Sequence, residues 1–280
     1  MKLLITDLDN TLYDWVTFFS KSFEAMVVNL SKELSIDINI LLDEFKVIHQ
    51  KYGNTEQPFA ILELPSVQKH YGELSRMELM ERLNKPLHAF NSTRKKNLKL
   101  YAGVSETLHY LSRNGVKIVG HTEAIPQNAY YRLLKLNILP YFSKLYSLDG
   151  LYLGHPIEDR AKELAPPENF IQLVPKAERK PNPSLLLDIC SREKVPATTT
   201  YYIGDSLIRD ISMAKNAGIM AIWAKYGTEC DKHLWDILVR VTHWTDEDVV
   251  RENELKRKAN KIEPDAIIEN FSQIVDIIKL

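Results

Sequence analysis

The chain opens with MKLLITDLDNTLYDW, residues 1–15. Leu3, Leu4 and Ile5 form a short apolar run of the kind that makes a buried strand. At its end stand Asp7 and Asp9. In an extended chain residues two apart point to the same side. Two carboxylates placed so repel each other, and burial penalises both. Something must compensate.

Working outward, the rhythm is helical from about residue 16 to 97. FFSKSFEAMVVNLSKEL, ILLDEFKVIHQKY and RMELMERLNKPLHAF each repeat apolar positions at helical spacing. About four helices are expected here. Strands and helices then alternate. YAGVSETLHYLSRNG reads as a helix, VKIVG as a strand, IPQNAYYRLLKLN as a helix and SKLYSL as a weaker strand. PSLLLDICSRE (helix), TTTYYIG (strand), RDISMAKNAG (helix) and IMAIWA (strand) follow, and DAIIENFSQIVDIIKL reads as a closing helix. This alternation predicts an α/β fold: a doubly wound parallel sheet with a helical insertion. Ligands in such folds bind beyond the carboxyl ends of the strands.

The chemistry-bearing residues fall at those ends. Asp7, Asp9 and Thr11 follow the first strand, and Thr122 follows VKIVG. Lys180 sits in ERKPNP, and Asp205 and Asp210 sit in GDSLIRD after YYIG. Carboxylates from two strand ends can share a hard cation such as Mg2+. A carboxylate can attack phosphorus, a second can move protons, and a hydroxyl and an ammonium can hold phosphoryl oxygens. Lys176 and Arg179 rival Lys180, but the Pro-Asn-Pro after Lys180 favours it.

In this order, the residues resemble the four motifs of the haloacid dehalogenase-like (HAD) superfamily. Asp7-Leu8-Asp9-Asn10-Thr11 fits DxDxT, and Val119-Gly120-His121-Thr122 fits a strand ending in a hydroxyl. Lys180-Pro181 fits the motif lysine, and Gly204-Asp205 through Asp210 fits GDxxxxD. The resemblance implies Asp7 as nucleophile and metal ligand. It implies Asp9 as general acid/base, binding Mg2+ through its main-chain carbonyl. Thr122 and Lys180 would bind the phosphoryl group, and Asp205 would ligate the metal. Asp210 and Thr11 would support these groups from behind. Dehalogenases of the family lack the second Asp, so Asp9 favours the phosphatase branch, phosphoglycolate phosphatase-like or nucleotidase-like. The implied domains are an α/β core over 1–15 and 98–280 and a helical cap over 16–97. The substrate would be a small phosphorylated metabolite: a phosphoglycolate-like acid, a sugar phosphate or a nucleoside monophosphate.

The chain departs from the family in three places. Glu123 stands where Asn is common. Extra segments near 150–172 and 228–262 are expected at the active-site edge, and at least one is expected to border the substrate entrance. The second holds His233, Trp235, His243 and Trp244. Tyr13, Asp14 and Trp15 read equally as a cap hinge or as a helix start. His121 reads as a packed or solvated imidazole rather than an acid/base group.

Composition narrows the remaining classes. Apolar residues make up 45% and charged ones 26%, with a formal net charge of -1. Nothing favours nucleic acid or an anionic membrane surface. The clusters Arg94-Lys95-Lys96 and Lys256-Arg257-Lys258 read as solvated helix faces. Cys190 and Cys230 form no metal or disulfide pattern and are expected as buried thiols. No secretory leader or membrane span is read, so a cytoplasmic protein is expected. GxxxxGK[ST], GxGxxG and GxSxG are absent. Two rivals to the phosphatase are a phosphomutase of the same superfamily and a non-catalytic phospho-binding or signalling module. A signalling receiver would be shorter and would place its lysine last.

Overall fold

The computed structural model describes residues 1–57, 59–150, 166–167, 169–259 and 262–279. Seven strands form one parallel sheet: β1 (Lys2–Thr6), β2 (Val116–Thr122), β3 (Lys144–Leu148), β4 (Ile171–Val174), β5 (Thr200–Gly204), β6 (Met220–Ala224) and β7 (Ala266–Ile268). Their spatial order is β4-β3-β2-β1-β5-β6-β7. β1 lies between β2 and β5, pairing Ile5 with Val119 and with Tyr202. Strands are added outward from β1 on both sides, so the strand order switches there and the crevice beyond its carboxyl end is the natural ligand site.

The helices are α1 (Trp15–Leu34), α2 (Ile38–Tyr52), α3 (Pro65–Tyr71), α4 (Arg76–Arg82), α5 (Asn84–Asn97), α6 (Val104–Arg113), α7 (Pro126–Lys135), α8 (Pro183–Glu193), α9 (Ser212–Asn216), α10 (Lys232–Val241), α11 (Asp246–Ala259) and α12 (Ile274–Ile277). Two apolar clusters cover the two faces of the sheet. One packs Leu108, Leu111 and Leu133 on Leu4 and Ile118; the other packs Leu186, Ile189 and Met213 on Leu3, Ile5 and Tyr202. Each strand of the central pair therefore alternates between two dry interfaces, which explains its continuous apolar reading.

Helices α1 to α5 bury a third core of their own, with Phe19, Phe23, Leu30, Leu41, Phe45 and Phe90. The chain enters it through a tight turn. Asn10 adopts φ +58°, a left-handed conformation that Asn tolerates. Its Oδ1 accepts from Trp15 N (3.1 Å) and Val16 N (3.3 Å), while Asp14 caps α1 by accepting from Thr17 N at 2.8 Å.

Several sequence expectations are corrected. RMELMERLNKPLHAF is two helices, because Leu83 leaves helical geometry and Pro86 sits in the first turn of α5. RDISMAKNAG begins as a π-turn over Leu207–Ile211 before α9. DAIIENFSQIVDIIKL is not one helix: its β-branched start, Ala266–Ile268, joins the sheet edge as β7, and Asn270 caps a short helical turn. Phe170 to Val174, read as part of an excess, supplies the opposite edge strand β4. Cys190 is buried as expected, but Cys230 is exposed. Arg94 is half-buried over the Phe90 and Tyr131 rings rather than solvated.

Of the extra segments, residues 151–165 lie outside the described residues. The second divides in two. α10 adds Leu234, Leu238 and Val241 to the core of the α1 to α5 unit. The turn after it is bonded to the same unit: His49 pairs with the Val241 carbonyl at 2.7 Å, His243 with Thr55 at 2.8 Å, and Gln50 donates to the Trp244 carbonyl at 3.0 Å. α11 instead lies on the sheet's active edge. Arg251 donates to the Lys180 carbonyl at 2.9 Å, and Glu252 pairs with Arg209 at 2.8 Å.

Candidate active site

β1 and β5 deliver the carboxylates. The Asp7 amide donates to the Ile203 carbonyl at 2.9 Å, so the end of β1 is locked to β5 just before Gly204 and Asp205. Lys180 Nζ donates to Asp7 Oδ1 (2.5 Å) and to Asp210 Oδ1 (2.8 Å), and its side chain is 4% exposed. Thr11 Oγ1 donates to the other Asp7 oxygen at 3.1 Å. Asp210 also accepts from Tyr202 OH at 3.1 Å and from Ser206 N at 3.1 Å. Lys180, not Lys176 or Arg179, is therefore the ammonium of the site. Arg179 is occupied with Asp248 at 2.9 Å.

Asp7, Asp205 and Asp210 each offer an oxygen within 4.8 Å of the others. Against these three carboxylates stands one buried ammonium. The electrostatic cost is visible at Asp7 and Asp205. Burial, with Asp210 and Asp9 adding to it and Lys180 opposing, pushes Asp7 up to about 7. Burial, Asp210 and Asp7 raise Asp205 well above its ordinary range. Burial alone would lower Lys180, but Asp210 and Asp7 outweigh it and hold it strongly protonated. An all-oxygen donor set short of positive charge fits a hard divalent cation. Asp210 stands among the three, yet Lys180, Tyr202 and Ser206 already occupy its oxygens, which suits a supporting place. The Asp9 side chain is not part of this cluster.

Thr122 is buried at the end of β2, where its Oγ1 accepts from Ala124 N at 3.1 Å. Register puts Thr6 beside Gly120, so Asp7 and Thr122 emerge from neighbouring strands. Among the described residues, Thr122 makes no hydrogen bond to Asp7 or Lys180. His121 is packed, with Nδ1 3.2 Å from Tyr202 OH, and burial and Lys180 hold it neutral by lowering its pKa.

Loop glycines hold the frame. At Gly204 an added Cβ would sit on the Asp210 carboxylate, and at Gly227 it would sit on the Asn10 carbonyl. Gly204→Ala should push Asp210 off Lys180 and reduce kcat by at least ~10-fold, the cost of about 1.4 kcal/mol in the barrier. Steady-state kinetics beside a melting curve would check this; unchanged kcat would show that Asp210 does not matter there. Trp223 Nε1 donates to the Asp205 carbonyl at 2.8 Å and Tyr226 OH to the Thr11 carbonyl at 2.6 Å, pinning both loops from β6.

Two functional candidates escaped the sequence reading. Arg132 on α7 is 1% exposed and reaches Asp9, Tyr13 and Glu56. Its signal was a charge on an apolar face, between Ala129 and Leu133. Glu56, in the loop after α2, carried no signal. Tyr13 proves fully buried, its OH accepting from Arg132 Nε at 2.8 Å, while Asp14 and Trp15 start α1. Of the residues singled out in the second extra segment, His233 and Trp235 are exposed, and Trp244 lies under the Arg209 guanidinium. Glu123 also holds Arg209, at 2.8 Å.

A haloacid dehalogenase-like hydrolase model matches residues 1–218, and a HAD-hydrolase-like model matches 177–274. Glyceraldehyde 3-phosphate phosphatase of Pyrococcus abyssi is 22% identical over 81% of this chain and 82% of its own length. Phosphoglycolate phosphatase of Nitrosococcus oceani is 25% identical over 81% of this chain and 84% of its own. The solved 2-haloacid dehalogenase of Pseudomonas syringae pv. Tomato shares the fold, with a TM-score of 0.57, 18% identity and coverage of 99% and 98% of the two chains. No helix among the described residues is long and apolar enough to cross a membrane. With the first model spanning more than half of it, the chain belongs to the haloacid dehalogenase-like hydrolases.

Proposed function

We propose that the chain is a Mg2+-dependent phosphatase that hydrolyses a small phosphomonoester through a phosphorylated Asp7. The observation that carries this reading is the Asp7–Lys180–Asp210 chain of hydrogen bonds with Asp205 beside it. The two phosphatase-named relatives support it. Their substrates, a triose phosphate and phosphoglycolate, mark the size of molecule expected here.

Each step follows from the residues. Asp7 attacks phosphorus through one carboxylate oxygen, forming an oxygen–phosphorus bond as the ester bond breaks. Asp9 gives its proton to the departing alkoxide, then takes one from the water that attacks the phosphoryl-aspartate and releases Asp7. Lys180 and Thr122 hold the phosphoryl oxygens while charge spreads over them. Lys180 and Thr11, each bonded to one Asp7 oxygen, orient that carboxylate for attack. Mg2+, held by Asp7, Asp205 and the Asp9 carbonyl, would supply the positive charge that the carboxylates lack. The α1 to α5 unit with α10 is proposed as the cap that closes over this centre.

A phosphomutase reading differs only in the fate of the phosphoryl group. Product analysis over a panel of phosphometabolites, with Mg2+ and with EDTA, separates the two: hydrolysis yields inorganic phosphate, transfer yields an isomeric phosphate ester. Absence of both across the panel would favour the binding-module reading.

The proposed metal should also be readable in the pH dependence of stability. The folded Asp7 pKa, about 7, lies above the ordinary value of 3.8, so the metal-free fold holds a proton that the unfolded chain releases. Stability from this group is therefore present at low pH and lost as pH rises toward about 7. Mg2+ must displace that proton, so it binds better above about pH 7. Expected in melting curves is a Mg2+-induced rise in Tm that is larger near pH 8 than near pH 5.5. Equal rises at both would contradict the assignment of Asp7 as a ligand.

A further inference from the structure

Arg132 joins the proposed cap to the proposed acid/base. Its Nη1 donates to both Glu56 oxygens, at 2.6 and 2.7 Å. Its Nη2 makes one longer bond, 3.3 Å, to Asp9 Oδ2. Asp9 Oδ1 lies 3.1 Å from the same Nη2 as an ion-pair neighbour but receives no hydrogen bond, although it is buried. Glu56 is fixed in turn by Trp15 Nε1 at 3.0 Å, and Trp15 stacks on Phe19 within the helical core. Asn128, one turn before Arg132, donates to the Glu56 carbonyl at 3.3 Å. Glu56 is thus held by the helical unit on one side and by α7 on the other.

We propose that Glu56 and Arg132 are positioning residues for Asp9: by taking the larger part of the guanidinium, Glu56 leaves Asp9 Oδ1 free to face the leaving group. This charge-assisted contact, one nitrogen to both Glu56 oxygens, is shorter and therefore the stronger of the two. Without Glu56 the whole guanidinium falls to Asp9, which then accepts from both nitrogens and is drawn toward α7. Seating of the helical unit and readiness of the acid are thereby coupled through one buried side chain. The inference rests on the phosphatase reading and on Asp9 as its acid/base.

The test compares phenyl phosphate with p-nitrophenyl phosphate, two esters of nearly equal size. Phenolate needs a proton to leave, whereas nitrophenolate does not. In Glu56→Gln, phosphorylation of the enzyme by phenyl phosphate should slow at least ~10-fold in single-turnover kinetics, with KM little changed. The p-nitrophenolate burst should keep its rate. Arg132→Met in the Glu56→Gln background should recover most of the phenyl phosphate rate, because the guanidinium no longer competes for Asp9. A structural role for the pair would instead slow both esters together, and the second substitution would deepen the loss. Equal slowing, or no recovery in the double variant, would overturn the proposal. Should Glu56→Gln fold poorly, Trp15→Phe removes the indole donor to Glu56 while keeping an aromatic ring to stack on Phe19. It should give the same leaving-group-selective loss at smaller size, and an unselective loss there counts equally against the idea. Wild-type turnover of both esters with Mg2+, and its loss in Asp7→Asn, are read in the same series. If those controls fail, the phosphatase reading fails; if they hold, only the Glu56–Arg132 coupling is at stake.

Discussion

Asp7→Asn should lower phosphatase kcat by on the order of 10⁴-fold or more, the scale on which loss of a covalent nucleophile acts. An amide nitrogen or oxygen cannot form the acyl phosphate, and the substitution also removes one charge from the metal cluster. The fold should survive. Asp7 is buried and pushed up to about 7, so in the metal-free protein a neutral side chain relieves repulsion from Asp210 and Asp9. The metal-free variant should therefore melt at or above the wild-type temperature near pH 8, and the Mg2+-induced rise should shrink. Retained Mg2+-dependent turnover in Asp7→Asn would make the mechanism wrong.

Lys180→Met carries the second large effect, and its signature is different. Lys180 is buried and bonds both Asp7 and Asp210. Removing one partner of a buried pair leaves uncompensated charge, which costs about 3–5 kcal/mol. The variant should lose stability on that scale in denaturant melts at neutral pH and regain part of it in acid, where the carboxylates protonate. Turnover should fall by at least ~10³-fold, since the phosphoryl oxygens lose their ammonium partner. Lys180→Arg should not restore activity, because a planar fork does not fit the tight bonds a point charge makes to two carboxylates. A stable Lys180→Met variant with ordinary turnover would refute the arrangement.

The site was legible because its parts stand at strand ends. Asp7 closes an apolar run, Thr122 closes VKIVG, and Asp205 follows YYIG, so the register of a parallel sheet converts sequence order into proximity. Lys180 was legible only through its motif, since a lone lysine before a proline carries no position of its own. Arg132 and Glu56 were missed for a related reason. Arg132 meets Glu56 across the boundary between two packed units, and periodicity within a helix says nothing about what a neighbouring unit brings. The fold errors have local causes. Ala266–Ile268 is too short a strand to show alternation, and the apolar residues that follow it continue at helical spacing. β4 hides in a segment whose Gln172 is half-buried and Leu173 exposed at the sheet edge. The helical spacing over 16–97 was legible, but the addition of α10 to that core was not. Leu234, Leu238 and Val241 form an ordinary amphipathic face, and only the three-dimensional structure shows which core that face meets.

That Asp7 carries the phosphoryl group can be read by trapping the phosphorylated enzyme. The protein would be mixed with Mg2+ and a labelled phosphomonoester that it turns over, quenched in acid within one turnover and digested. The account predicts one added phosphoryl group on the peptide containing Asp7, present with Mg2+ and absent with EDTA or in Asp7→Asn. Label on another residue, or rapid turnover with no labelled peptide at any quench time, would contradict it.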